Sequence, residues 1–313
     1  MKRAFIFPGQ GSQAVGMGKE LADAFAVARE TFQEIDDALG QNLTKLMWEG
    51  PADDLVLTEN AQPALMAVSM ATMRVLESEG GFKLADQAAY VAGHSLGEYS
   101  ALAAAGTFGL ADTARLLKIR GQAMQKAVPV GEGAMAALLG LDFETAQAVA
   151  EEAAQGEVCQ AANDNAPGQV VISGTKAAVE RAIILAKEKG AKRAMSLPVS
   201  APFHCTLMQP AADAMAEALG AVTMHAPVVP LVANVIAEAV NDPNKIRELL
   251  VAQVTGRVRW RESVLWMAAQ EVEATVEVGT GKVLTGMSKR IDKSIAASAV
   301  GTPAGVETFL ASL

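Results

Sequence analysis

Short apolar runs alternate along this chain with longer stretches in which apolar side chains recur every three to four positions, a rhythm that predicts strands separated by helices. Residues 4–7 (Ala-Phe-Ile-Phe) form the first strand-length run, closed by Pro8-Gly9-Gln10-Gly11-Ser12-Gln13. Helical spacing follows in Leu21, Phe25, Phe32, Ile35 and Leu39, then in 64–76, entered through Pro63 and ended by Gly80-Gly81. A strand over 88–92 leads into a helix over 96–105, and a further helix covers 110–127. From about residue 130 the order becomes strand 134–139, helix 143–154, strand 158–162, strand 169–173, helix 177–189 and strand 191–199. The polar segment Asn163-Asp164-Asn165-Ala166-Pro167-Gly168 reads as the turn between the middle pair. This β-α-β-β-α-β order is that of a ferredoxin-like unit. Beyond it come a proline-rich loop to Cys205, a helix over 207–219, a strand over 228–232, helices over 246–254 and 260–269, and a strand over 274–278.

The fold class that follows is α/β. Residues 1–128 and 199–313 form a parallel-sheet core, and 129–198 form an inserted ferredoxin-like subdomain. With 313 residues, 51% of them hydrophobic, the chain can bury a full core. The net charge of −9 argues against nucleic-acid binding. No apolar run reaches membrane-spanning length, and the N-terminal one is too short for a signal peptide, so a cytoplasmic protein is expected. Two cysteines, Cys159 and Cys205, make neither a disulfide framework nor a zinc pattern, and no metal site is expected.

Gly93-His94-Ser95-Leu96-Gly97 lies between a strand and a helix and fits G-x-S-x-G, the nucleophile elbow. In that turn the serine sits in a strained backbone, small residues are required two positions to either side, and the helix N-terminus faces any oxyanion formed at the hydroxyl. A serine nucleophile needs a base, and the chain has three histidines. His94 adjoins Ser95 and would point away from its Oγ, ordering the turn. His225 lies in the connector Met224-His225-Ala226-Pro227. His204, in Pro202-Phe203-His204-Cys205, is the best candidate. The N-terminal Gly9-x-Gly11-x-x-Ala14 satisfies a relaxed dinucleotide fingerprint, but helix follows where the second strand and its acidic residue should stand. The loop is left with backbone N–H groups to offer an anionic oxygen. Helix 110–127 carries Arg115, Lys118, Arg120 and Lys126, and periodicity does not say which of them points inward.

Along its length the chain resembles the malonyl-CoA:acyl carrier protein transacylases. Six blocks in order carry the likeness: Phe7-Pro8-Gly9-Gln10-Gly11-Ser12-Gln13, Gly93-His94-Ser95-Leu96-Gly97-Glu98, Ile119-Arg120-Gly121, Gln169-Val170-Val171-Ile172-Ser173-Gly174, Pro202-Phe203-His204-Cys205 and Glu277 to Leu284. The resemblance implies an α/β-hydrolase-like core with the ferredoxin-like insertion. It implies a ping-pong reaction in which malonyl passes from malonyl-CoA to Ser95, releasing coenzyme A, and then to the phosphopantetheine thiol of holo acyl carrier protein, for fatty acid biosynthesis. It makes His204 the base, the N–H groups of Gln10 and Leu96 the oxyanion hole, and Arg120 the partner of the malonyl carboxylate. A carbonyl at Gln253 would orient the imidazole, with Gln62, His94, Asn163 and Phe203 around the pocket. No cofactor is implied, because the thioester is already activated, and a monomer is expected. Thr280 departs from the proline common in the last block. The carrier is acidic, so docking on this acidic chain calls for a local basic patch, for which Lys192, Arg193, Lys289 and Arg290 are candidates. The competing readings are a serine hydrolase or thioesterase, a catalytically idle carrier-docking scaffold, and an acyltransferase acting in trans for polyketide synthesis.

Overall fold

A computed structural model describes residues 1–199 and 201–313; Ser200, within the proline-rich loop read from the sequence, lies outside the described residues. Ten strands follow in chain order: β1 (Arg3–Phe7), β2 (Tyr90–Gly93), β3 (Gly133–Leu139), β4 (Cys159–Ala166), β5 (Gln169–Thr175), β6 (Arg193–Ser196), β7 (Leu231–Ala233), β8 (Glu238–Val240), β9 (Ala274–Val278) and β10 (Ala296–Val300). Six form one sheet in the order β10-β9-β1-β2-β7-β8, parallel except for the edge pair β7–β8. The other four form an antiparallel sheet, β4-β5-β3-β6.

The parallel sheet is apolar on both faces because helices cover both. Phe5 and Phe7 enter the larger core, while Ala4 and Ile6 face a second cluster with Trp260 and Val264. A separate cluster packs helices Phe143–Ala154 and Lys176–Glu188 on one face of the antiparallel sheet. No helix among the described residues is long and apolar enough to cross a membrane.

Several expected elements change. The stretch read as one helix from Leu21 to Leu39 is two, Lys19–Ala24 and Ala26–Leu39, because Phe25 is extended (φ −127°, ψ 127°). The helix expected over 64–76 runs from Thr58 to Gly80 and passes through Pro63. The last expected strand of the insertion, 191–199, pairs over Arg193–Ser196 alone. Strand β10 and helices Val283–Ile291 and Pro303–Leu310 were not foreseen. The largest correction concerns 163–166, expected as turn. These residues continue β4 through two register shifts, and the turn shrinks to Pro167-Gly168. Backbone pairing on the far side explains it: Val258 N–H donates to Ala162 O at 2.9 Å and Asp164 N–H to Val258 O at 3.0 Å. Buried Asp164 also receives Arg261 at 2.8 Å, so turn-type residues are held extended by partners distant in sequence.

Helices Thr58–Gly80 and Leu110–Ala127 meet closely at Gly121, where a Cβ would fall 2.5 Å from Glu59 Cα. That contact places Gln62 beside Arg120. Gly121→Ala is expected to force the helices apart and to lower stability by about 1–3 kcal/mol, read as a fall in denaturation midpoint together with weaker substrate binding.

Candidate active site

Ser95 follows β2 at the start of helix Gly97–Ala104, with φ at 54°. Its flanking glycines are required by space. A Cβ at Gly93 would lie 2.0 Å from Gly97 backbone, and one at Gly97 would lie 2.3 Å from Phe7 O on β1. The elbow is locked from β7: Asn234 Oδ1 accepts the Ser95 N–H at 2.8 Å, and Asn234 Nδ2 donates to Gly93 O at 2.7 Å. A buried amide thus holds the serine where a non-glycine residue rarely sits.

His204, like Ser95 a non-glycine residue in the left-handed region (φ 58°), places Nε2 2.8 Å from Ser95 Oγ. Nδ1 lies 3.0 Å from Gln253 O and 3.1 Å from Gly256 O. Both are carbonyls, so Nδ1 carries the proton and Nε2 presents a lone pair to the serine hydroxyl. Among the described residues no acidic side chain bonds to this ring. Burial first, and then the neighbouring Arg120 charge, lower its pKa to about 3. The imidazole is therefore neutral and ready to accept a proton across the whole neutral range. The unfolded chain takes up this proton below about 6.5 while the folded one does not, so acidification toward 3 also lowers stability. The expected pH profile of acylation is flat through 6.5, the ordinary histidine value, with the acid limb displaced well below it; pH-jump measurement of kcat/KM checks this.

Arg120 is the inward-facing cation of its helix, only 1% exposed. Nη1 donates to Gln62 Oε1 at 2.8 Å, and Nη2 donates to Gln253 Oε1 at 2.7 Å and Ser95 Oγ at 3.2 Å. The guanidinium also lies 5.7 Å from the Tyr99 ring centroid, and its Nε is buried with no hydrogen-bond partner among the described residues. All its direct partners are neutral. A buried guanidinium without a carboxylate in contact is costly, and it defines a place for an anion arriving with a ligand.

The expected pocket residues converge on one cleft of about 450 Å³, lined by Gln10, Gln62, His94, Ser95, Leu96, Arg120, Asn163, Phe203 and His204, with helix Val283–Ile291 along its rim. Gln253 stands behind this lining rather than in it. Thr58 Oγ1 donates to Gln10 Oε1 at 2.9 Å and accepts from Gln62 Nε2 at 2.8 Å, tying the glycine loop to the helix that serves Arg120. Leu96 is the N-cap of its helix, where N–H groups lack intrahelical partners. His94 reaches across to the antiparallel sheet, its Nε2 2.8 Å from Asn165 Oδ1. His225 is exposed and far from this constellation in role, its N–H bound to Thr107 O.

Besides Gly256 and Thr58, two further residues of the site carry no role in the sequence reading. Glu98, 1% exposed, accepts from Gln253 Nε2 at 2.5 Å, and Asn234 joins β7 to the elbow. Both left a signal: Glu98 is the one charged residue of its helix Gly97–Ala104, and Asn234 follows the C-terminal end of a parallel strand, where such sheets gather functional groups.

Residues 4–305 match the family model described as "Acyl transferase domain". The "Malonyl CoA-acyl carrier protein transacylase" of Escherichia coli K12 is 50% identical over 98% of both chains, and that of Bacillus subtilis 168 is 44% identical over all of this chain and 97% of its own. The chain belongs to the malonyl CoA-acyl carrier protein transacylases of the acyl transferase family. Among solved structures, the acyl-carrier-protein-S-malonyltransferase of Bartonella henselae superposes with a TM-score of 0.98 at 58% identity, covering 100% of this chain and 99% of that one. A malonyl-transacylase solved with a type II polyketide-synthase acyl-carrier protein superposes over the full length of both chains with a TM-score of 0.96 at 45% identity. Family membership agrees with a parallel-sheet core carrying a separate antiparallel sheet, and it identifies the chain as an acyltransferase.

Proposed function

We propose that this enzyme moves malonyl from malonyl-CoA to the phosphopantetheine thiol of holo acyl carrier protein, in supply of fatty acid biosynthesis. The observation that carries the reading is Arg120, a buried guanidinium with only neutral partners, whose Nη2 lies 3.2 Å from the nucleophile hydroxyl. Such a cation stabilises an acyl group ending in a carboxylate and is left unpaired by a neutral one.

In this reading Ser95 Oγ attacks the thioester carbonyl as its proton passes to His204 Nε2. The carbonyls of Gln253 and Gly256 stabilise the imidazolium through Nδ1–H. The N–H groups of Gln10 and Leu96 receive the oxyanion, and the proton returns to the coenzyme A sulfur as the C–S bond breaks. The carrier thiol then attacks the malonyl-serine ester by the same steps in reverse. The Arg120 fork engages the free carboxylate, for which its planar donors are suited. Residues 129–198 form one wall of the cleft, with 1–128 and 199–313 forming the other. The chemistry needs no metal or prosthetic group, and the enzyme works as a cytoplasmic monomer.

Intact-protein mass after brief exposure to malonyl-CoA or acetyl-CoA tests the reading. Malonyl labelling with little acetyl labelling is expected. Equal labelling would overturn the role of Arg120, and free malonate without any adduct would favour a hydrolase.

Exposed Lys192 precedes β6 and exposed Arg193 begins it, and exposed Lys289 and Arg290 lie in the last turn of the helix at the cleft rim. These sites face an acidic carrier in this proposal. Their reversal to glutamate is expected to raise KM for the carrier about tenfold through lost electrostatic steering, while labelling by malonyl-CoA is unchanged. Unchanged transfer to the carrier would remove this patch from the docking surface.

A further inference from the structure

Among the described residues three carboxylate side chains are fully buried, and two have evident partners. Glu277 accepts from Leu284 N–H and from the N–H and hydroxyl of Thr285 at a helix N-terminus. Asp164 pairs with Arg261. Glu98 touches no cation among the described residues. It accepts from Gln253 Nε2 at 2.5 Å and, at a longer 3.4 Å, from Asn234 N–H. The opposite end of the Gln253 amide, Oε1, accepts from Arg120 Nη2 at 2.7 Å. The amide therefore stands between a carboxyl and a guanidinium with its positive end on the acid and its negative end on the base. The opposite orientation would set its NH2 against the guanidinium.

We propose that Glu98 is the resting counter-charge of Arg120, relayed through the Gln253 amide, and that it takes up a proton when an acyl carboxylate settles on Arg120. The inference rests on the reading of Arg120 given above. It makes Glu98 a positioning residue that acts through Gln253 without touching the substrate.

The physical basis is that one buried cation is shared by two anions in turn. Both groups on Glu98 are N–H donors, which suits an ionised carboxylate. A second carboxylate bound to the guanidinium satisfies the cation and leaves Glu98 uncompensated in a low-dielectric interior. Protonation then relieves it. The proton comes from bulk solvent, and no bond of the substrate changes in this step. Once Nη2 turns to the acyl carboxylate, Gln253 Oε1 is released, while Nε2, which also donates to Ser95 O at 2.9 Å, stays on the carbonyl oxygen of the protonated Glu98. Burial raises the Glu98 carboxyl to about 8, so near pH 8 about half of the resting enzyme carries the ionised counter-charge, and it is this half that takes up the proton. Arg120 is the charged side chain whose field reaches it. Tyr99, its neighbour on the helix, is a phenol with its pKa raised, and His204, on the backbone carbonyl of Gln253, is neutral.

Calorimetric titration tests the coupling. Ser95→Ala enzyme, which binds without reacting, is titrated at pH 8 with malonyl-CoA and with propionyl-CoA, which lacks the carboxylate. Each titration is run in two buffers of different ionisation enthalpy. Uptake of up to about half a proton per malonyl-CoA is expected, with none for propionyl-CoA and none for malonyl-CoA in Ser95→Ala/Glu98→Gln. In the same protein the preference for malonyl-CoA should weaken as pH rises through 8, a readout that stands even where the double variant fails to fold. Preference for malonyl-CoA without excess proton uptake, or equal uptake with both ligands, would overturn the role of Glu98 alone. No preference for malonyl-CoA would instead overturn the reading of Arg120, and this inference with it.

Discussion

Ser95→Ala enzyme is expected to form no covalent adduct with malonyl-CoA and to lose turnover by roughly ten-thousand-fold or more, the scale seen when a nucleophile that acts as a unit with its base is removed. The reason is geometric. Ser95 Oγ lies within hydrogen-bond reach of both His204 Nε2, at 2.8 Å, and Arg120 Nη2, at 3.2 Å. One hydroxyl therefore meets both the imidazole proposed as proton acceptor and the cation proposed to hold the far end of the acyl group. Alanine keeps the elbow intact, because Asn234 binds the backbone N–H rather than the side chain. Binding of malonyl-CoA should survive while chemistry stops. Intact-protein mass and equilibrium binding, measured together, check this, and a residual adduct on another residue would refute the assignment of the nucleophile.

Arg120→Ala is expected to lower kcat/KM for malonyl-CoA by about a hundred- to several-thousand-fold, corresponding to the 2–5 kcal/mol typical of truncating one partner of a buried charged pair, while acetyl-CoA loses much less. The discrimination between the two substrates should therefore collapse. Arg120→Lys should rescue only part of it, since a single ammonium on a flexible stem cannot engage Gln62, Gln253 and a carboxylate with the fixed fork that Arg120 provides. The informative quantity is the ratio of the two specificity constants. A parallel fall for both substrates would mean that Arg120 only supports the architecture around Ser95.

Where chemistry depends on neighbours in sequence, it was legible there. The elbow is a local device, and Gly93, Ser95 and Gly97 announce it because backbone crowding at the turn excludes larger side chains. Strand β9 and the helices over 110–127, 143–154 and 260–269 appear with the limits their apolar rhythm indicates, since each buries one continuous face or run. The β-α-β-β-α-β unit follows from order alone. Asn163, Asp164 and Asn165 read wrongly as turn because their residue types favour turns in isolation. The structure instead uses Asp164 against Arg261, Asn165 against His94, and the local backbone against Val258. Strand β10 was hidden for a related reason: as an edge strand, half-exposed over Ala296–Val300, it has little apolar rhythm to display.

The sequence by itself determined the alternation of strands and helices, the nucleophile turn and the residue types from which a site could be assembled, because these depend on contacts within a few positions of the chain. Periodicity left open which of Arg115, Lys118, Arg120 and Lys126 enters the interior and only the family resemblance singled out Arg120; the tertiary structure supplies the reason, the close approach of its helix to Glu59 at Gly121. The tertiary structure alone decided that Gly256 O joins the Gln253 carbonyl on His204 Nδ1, and that Asn234 and Gln253 meet Glu98 from 136 and 155 positions away. Hydrogen bonds and buried charges select partners by distance in space, and no local pattern records which distant residue will occupy that place.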